Sequence, residues 1–141
     1  TPLFIGVLNG SFMFAGDLMK SISIPAEITF MKISSYDGMK SKGKTHELIG
    51  LKESIEGRDV VVIEDIVDTG ITMESIVAQL KKAEARSVEV ASLLLKPDCL
   101  KRDVKVKYTG FEIPEKFVVG YGLDYDGLGR NLKDIYQLKH E

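Results

Sequence analysis

The chain has 141 residues, 44% of them hydrophobic and 28% charged, with a formal net charge of -2. That length and apolar content suit one domain with a real core, and the dispersed, slightly acidic charge argues against a nucleic-acid or membrane surface. A single cysteine, Cys99, excludes an internal disulfide framework, and no apolar run approaches the roughly 18 residues of a membrane helix. With no basic-plus-apolar leader in view, the expectation is a soluble, cytoplasmic protein.

Leu3–Leu8 is a short apolar run that breaks at Asn9-Gly10-Ser11, and Phe12–Ile22 has the spacing of an amphipathic helix. Taken alone, the turn reads equally as a βα connection with Ser11 as N-cap. Ala26–Ser34 alternates as a strand with Ile28, Phe30 and Lys32 on one face. Ser35–Lys44 holds two glycines and three lysines with almost no apolar residues, which predicts a mobile loop. His46–Leu51 returns as the partner strand, and His46 has no second His or Cys at ligand spacing.

Val60-Val-Val-Ile63 is β-branched without polar alternation, the mark of a strand buried on both faces. Glu64, Asp65 and Asp68 follow, then Thr69, Gly70, Ile71 and Thr72. Met73–Ala83 next places Ile76, Val77, Leu80 and Ala83 at helical spacing. Strand, loop, helix in a parallel sheet is where ligands bind. Free amides at the helix start, a glycine and two threonine hydroxyls suit a phosphate. Glu64 and Asp65 would repel a bare phosphate, but they suit sugar hydroxyls or a hard cation such as Mg²⁺. Asp68 is placed to act as a base. A phosphorylated ribose bound with a metal satisfies all of these groups, whereas an N-cap at Asp68 or Thr69 explains one residue only.

Glu64-Asp-Ile-Val-Asp-Thr-Gly-Ile-Thr72 resembles the ribose-5-phosphate loop of the type I phosphoribosyltransferases. By that resemblance, Glu64 and Asp65 hold the ribose hydroxyls, and Thr69, Gly70, Ile71 and Thr72 hold the 5′-phosphate. Asp68 takes the proton from N7 of the base. The turn at Asn9, Gly10 and Ser11 resembles the family's pyrophosphate loop, where many relatives carry a lysine at the position of Asn9. Ser35 and Tyr36 resemble the Ser-Tyr pair of a flexible flap, spanning about 35–46, that shields the reacting centre from water. Read without the resemblance, that segment is a solvated hairpin loop. The family also implies a helical segment ahead of Leu3, so the chain is expected to be a fragment or a shortened form.

Ser87–Leu95 is another buried strand, and Lys96-Pro97 ends it with a lysine at the crevice. Residues 97–107 are polar and irregular. Gly110-Phe-Glu-Ile-Pro114 and Phe117-Val-Val-Gly-Tyr-Gly-Leu-Asp-Tyr125 resemble the hypoxanthine-guanine branch of the same family. There Lys96 donates to the 6-oxo group of the purine, Phe117 stacks on its ring and the backbone of Val118 reads its edge. Asp124 approaches Mg²⁺, making Glu64, Asp65 and Asp124 the metal candidates, and Arg130 joins Asn9, Gly10 and Ser11 on pyrophosphate. Two competing motifs fail. Gly120-Tyr-Gly122 lacks the last glycine of a dinucleotide fingerprint because Tyr125 stands there, and Leu128 and Ile135 break an EF-hand beginning at Asp124.

The resemblance implies one α/β domain: a mostly parallel twisted sheet with helices on both faces (core about 3–96), plus a small hood from about 97–141. It implies a Mg²⁺-dependent purine-salvage enzyme. Such an enzyme acts on phosphoribosyl pyrophosphate and a 6-oxopurine, works as a homodimer or homotetramer, and needs neither nucleic acid nor a membrane. An RNA-binding regulator on the same fold would need a basic face, which the charge pattern does not offer. Xanthine, guanine alone or a pyrimidine remain open as the base.

Overall fold

The computed structural model describes residues 1–37 and 44–139, with side chains left aside at 35–37 and 44–49. The main sheet has the order β3-β2-β1-β4-β5-β6. Its strands are β1 (Leu3–Val7), β2 (Glu27–Asp37), β3 (Lys44–Ile49), β4 (Asp59–Val67), β5 (Ser87–Leu95) and β6 (Tyr108–Glu112). All neighbours run parallel except β2 and β3, which pair antiparallel. Two helices cross over: α1 (Phe12–Lys20) from β1 to β2 and α2 (Ile71–Lys82) from β4 to β5. The first crossover leads to one side of β1 and the second to the far side of β4. The chain therefore reverses direction between β1 and β4, and such a switch point opens a crevice at the strands' carboxyl ends.

The helices lie on opposite faces because strand side chains alternate. Leu3, Ile5, Val7, Val60, Val62 and Val90 point to one face, where Met73, Ile76 and Leu80 of α2 close the main core. Phe4 and Ile63 point to the other, against Ala15 of α1. Glu74 in the first turn of α2 and Lys81 and Lys82 in its last turn complement the helix dipole. A small two-stranded unit, β7 (Val118–Val119) with β8 (Tyr136–Gln137), forms the hood. It sits on the sheet through Leu123 packed with Leu93 and Leu94.

Ile28 and Phe30 share a face, as the alternation indicates, and each is 38% exposed, while Met31 on the opposite face is 1% exposed and joins the main core. Helix α1 packs over β1 and β4 and leaves the Ile28–Phe30 face of β2 half open. Three details depart from the sequence reading. The loop expected from Ser35 to Lys44 is shorter, since β2 runs on to Asp37 and β3 begins at Lys44, with Ser35 opposite His46 and Tyr36 opposite Thr45. Residues 38–43 of the expected flap lie outside the described residues. Strand β4 continues past Ile63 to Val67, so Glu64 and Asp65 stand on a strand rather than in a loop. Finally, Tyr108–Glu112 joins the main sheet beside β5, although every one of its residues is exposed.

Candidate active site

The crevice is made by strands of unequal length. Pairing of β1 with β4 stops at Gly6 and Ile63, while β4 stays paired with β5 through Val67 and Leu95. Glu64 to Val67 therefore project beyond the end of β1 into the space where its loop turns. Residues 64–70 with Thr72 and Met73 line a cavity of about 180 Å³. Gly70 is the N-cap of α2 with φ 84, a left-handed conformation that favours glycine. The competing reading of a side-chain cap at Asp68 or Thr69 does not hold, since this glycine is the cap, although Thr69 Oγ1 accepts the Ile71 amide at 3.3 Å. A methyl group on Gly70 would fall 3.1 Å from Val104 and 3.3 Å from Leu100, so the 100–104 segment backs the loop. The Lys101 amide donates to the Thr69 carbonyl at 2.8 Å and fastens that backing.

The acidic pair is held by its own backbone. Glu64 accepts the Asp65 amide at 3.0 Å, and Asp65 accepts the Ile66 amide at 2.9 Å. Burial, aided by the adjoining Asp65 carboxylate, pushes the Glu64 carboxyl well above the usual carboxylate range. Asp68 is exposed, and its carboxylate accepts from Lys96 Nζ at 3.3 Å. Lys96 itself is buried at the end of β5, its amide donating to the Val67 carbonyl at 3.0 Å. Cys99, on the short 3₁₀ turn Pro97–Cys99, lies beside both; burial first, then the charges of Glu115 and Asp68, raise its thiol.

Across the crevice, the Leu8–Asn9 peptide is cis. Asn9 is exposed, whereas Gly10 and Ser11 are buried. Gly10 is wedged: a methyl there would lie 1.9 Å from Asp65 Oδ2, and a methyl on Gly122 would lie 2.2 Å from the Gly10 carbonyl oxygen. Only glycine at both positions permits this approach. Ser11 stands at the N-cap of α1 as expected but makes no side-chain cap, and its buried Oγ has no partner among the described residues.

The hood residues are arranged by turns. Phe117 is 45% exposed and meets the ring of Tyr125 edge-on, with centroids 5.7 Å apart and planes at 88°. Sequence reasoning missed Tyr125 as a partner, since an exposed tyrosine carries no signal of its own. The Leu138 amide donates to the Phe117 carbonyl at 3.0 Å. Asp124 accepts the Gly127 amide at 2.9 Å and lies 3.5 Å from Arg130, whose other nitrogen donates to the Gly122 carbonyl at 2.7 Å. The structure thus joins Lys96 to Asp68, Gly10 to Asp65 and Gly122, and Arg130 to Asp124. It does not gather Glu64, Asp65 and Asp124 into one group: among the described residues no three His, Cys, Asp or Glu enclose a cation site.

A twisted parallel sheet with an acidic strand end, a glycine-capped helix and a facing glycine turn defines a phosphate-handling α/β protein. The phosphoribosyl transferase domain model matches residues 1–126, and the chain belongs to that family. Hypoxanthine-guanine phosphoribosyltransferase of Staphylococcus epidermidis is 49% identical over 138 residues, covering 97% of this chain and 77% of that protein. Its Staphylococcus aureus counterpart is 47% identical over the same span. The crystal structure of a hypoxanthine phosphoribosyltransferase from S. aureus superposes with a TM-score of 0.85 at 47% identity, over 98% of this chain and 76% of that one. A hypoxanthine phosphoribosyltransferase variant from Trypanosoma cruzi, in a ternary substrates complex, gives 0.91 at 36% identity, over 99% and 78%.

Proposed function

We propose that this chain transfers the 5-phosphoribosyl group of phosphoribosyl pyrophosphate to N9 of hypoxanthine, and of guanine, giving IMP or GMP and pyrophosphate. The observation that carries this reading is the Lys96–Asp68 pair at 3.3 Å beside the glycine-capped start of α2. A buried cation beside an exposed carboxylate supports this reading, because a 6-oxopurine carries O6 and N7 side by side on one edge. Lys96 donates to O6, which adenine lacks, and so frees Asp68 to accept the N7 proton as the bond to N9 forms. The amides from Gly70 to Thr72 and the hydroxyls of Thr69 and Thr72 hold the 5′-phosphate. Glu64 and Asp65 hold the ribose hydroxyls. The loop Asn9-Gly10-Ser11 and Arg130 take the departing pyrophosphate, Phe117 stacks on the purine and Val118 reads its edge.

Magnesium fits this donor set. It is bound by one or two carboxylates plus substrate phosphates rather than by an all-protein cage, and a cation would relieve the crowding of Glu64 against Asp65. When bound it neutralises charge on the pyrophosphate, with Asp124 on the far side of the crevice. Ser35 and Tyr36 belong to a flap that keeps water from the sugar cation. The reading extends to a cytoplasmic homodimer or homotetramer. Among the described residues no helix is long and apolar enough to cross a membrane.

The test is a spectrophotometric assay with phosphoribosyl pyrophosphate and Mg²⁺, offering hypoxanthine, guanine, xanthine and adenine separately, with and without a chelator. Turnover of hypoxanthine and guanine but not adenine, lost on chelation, is the expected result. Binding of phosphoribosyl pyrophosphate with no base converted would overturn the reading.

A further inference from the structure

We infer that Tyr121 and Asp17 form a positioning latch that seats the pyrophosphate loop against the turn carrying Asp124 and Arg130. The inference rests on the function proposed above and names residues outside the loops that touch substrate. Helix α1 starts at Phe12, directly off the loop at Asn9–Ser11, and Asp17 lies on it. Any shift of α1 along its axis moves the loop with it. Tyr121 sits between Gly120 and Gly122, and the three residues have φ values of 105, 50 and 99. Left-handed backbone is disfavoured for a side-chain-bearing residue, so a tyrosine there needs a compensating contact. Its hydroxyl supplies one, donating to Asp17 Oδ2 at 2.5 Å across 104 residues of sequence.

The turn that Tyr121 belongs to is internally stiff. The Tyr121 amide donates to the Leu132 carbonyl at 2.8 Å and the Gly122 amide to the Arg130 carbonyl at 2.9 Å. Arg130 returns a bond to the Gly122 carbonyl at 2.7 Å. The turn therefore moves as one piece, with Asp124 and Arg130 aboard. Where it meets the loop, Gly122 lies over the Gly10 carbonyl, too close for any side chain. That approach is a van der Waals contact between two backbones and has little directional hold. The phenol-to-carboxylate bond supplies the direction. Burial and the Asp17 contact push the Tyr121 hydroxyl up to about 12, so it remains a donor throughout the working range. The Tyr121 hydroxyl first, and Lys20 at 3.3 Å second, hold the Asp17 carboxyl below the usual carboxylate range.

Losing the latch should loosen the pyrophosphate side while leaving the phosphate loop on α2 in place. The experiment is steady-state kinetics of the reverse reaction, IMP plus pyrophosphate with Mg²⁺, on Tyr121→Phe, Asp17→Ala, Asp17→Asn and the double variant Tyr121→Phe/Asp17→Ala. Removing one charge-assisted hydrogen bond is expected to raise KM for pyrophosphate about fivefold, with KM for IMP unchanged. Asp17→Asn keeps an oxygen that accepts from the phenol and should stay near wild type. The double variant should be no worse than either single loss, because both remove the same bond. An unchanged KM for pyrophosphate in Tyr121→Phe, or an equal rise for both substrates, would overturn the latch. No turnover by the unaltered chain would instead sink the functional reading, and the latch with it.

Discussion

Gly10 and Gly70 sit buried at the ends of buried strands, whereas Phe117 and Tyr125 across the crevice stand 45% and 53% exposed. The first region is built from backbone: amides, a left-handed cap and two glycines pressed against neighbours. The second is built from side chains on turns, tied to the sheet through Leu123, Leu93 and Leu94. On the proposed function, phosphate and pyrophosphate are the same whichever base is used, so fixed amides would suit them. The base is the variable part, and side chains are the cheaper place to vary recognition. It follows that the strand-end region should be intolerant of added atoms and the hood should be intolerant of lost ones.

Asp68→Asn breaks the comparison at its hinge, the point where both regions meet. It should lower kcat by about 10²- to 10⁴-fold, the range of a lost general base, with phosphoribosyl pyrophosphate affinity retained by calorimetry. Gly10→Ala comes next. Its methyl would collide with Asp65 at 1.9 Å, and displacing the loop by that scale should cost about a hundredfold in kcat/KM for phosphoribosyl pyrophosphate. Gly16→Ala is its control: nothing lies within 4 Å of the added carbon, and the residue is inside α1. That variant should keep activity and gain about 0.5–1 kcal/mol in denaturant unfolding. Phe117→Leu keeps bulk but removes the ring, and should raise KM for hypoxanthine about three- to tenfold while leaving that for phosphoribosyl pyrophosphate alone.

The smallest effect lies far from both regions, at the amino ends of the strands. There Asp59 pairs with Arg86 and accepts from Ser87 at 2.7 Å, and these contacts hold its carboxyl well below the usual range. A depressed folded-state value contributes stability above the unfolded value and loses it as pH falls through the folded one. The melting advantage of the unaltered chain over Asp59→Asn should therefore be present at pH 7 and shrink below about pH 4. Catalytic parameters at pH 7 should not change.

The two regions also differ in how far the sequence disclosed them. Val60–Ile63 announced a two-sided buried strand, and the acids, Gly70 and the threonines behind it were legible because each residue type has few other uses in that order. Lys96 was legible by its place at a strand end. Strand β6 was not, because all five of its residues are exposed and none of the usual inside-outside alternation survives. The alternation of β2 was legible, but which of its faces is covered was not, because large apolar residues stand on both, Ile28 and Phe30 on one and Met31 on the other. Only the position of α1 decides between the faces. The wedge of Gly10 between Asp65 and Gly122 joins three distant segments, and the cis peptide before it has no proline to signal it. The Tyr121–Asp17 bond spans 104 residues and leaves no local trace.

The division of labour between backbone and hood can be mapped directly by titrating ¹⁵N-labelled chain with IMP and following amide shifts. The account predicts the largest changes at Thr69–Thr72, where the 5′-phosphate lands, and at Val118, where the base edge is read. Shifts concentrated instead around Val77–Lys81 and Val88–Val90, in the separate cleft between α2 and β5, with Thr69–Thr72 unmoved, would contradict it.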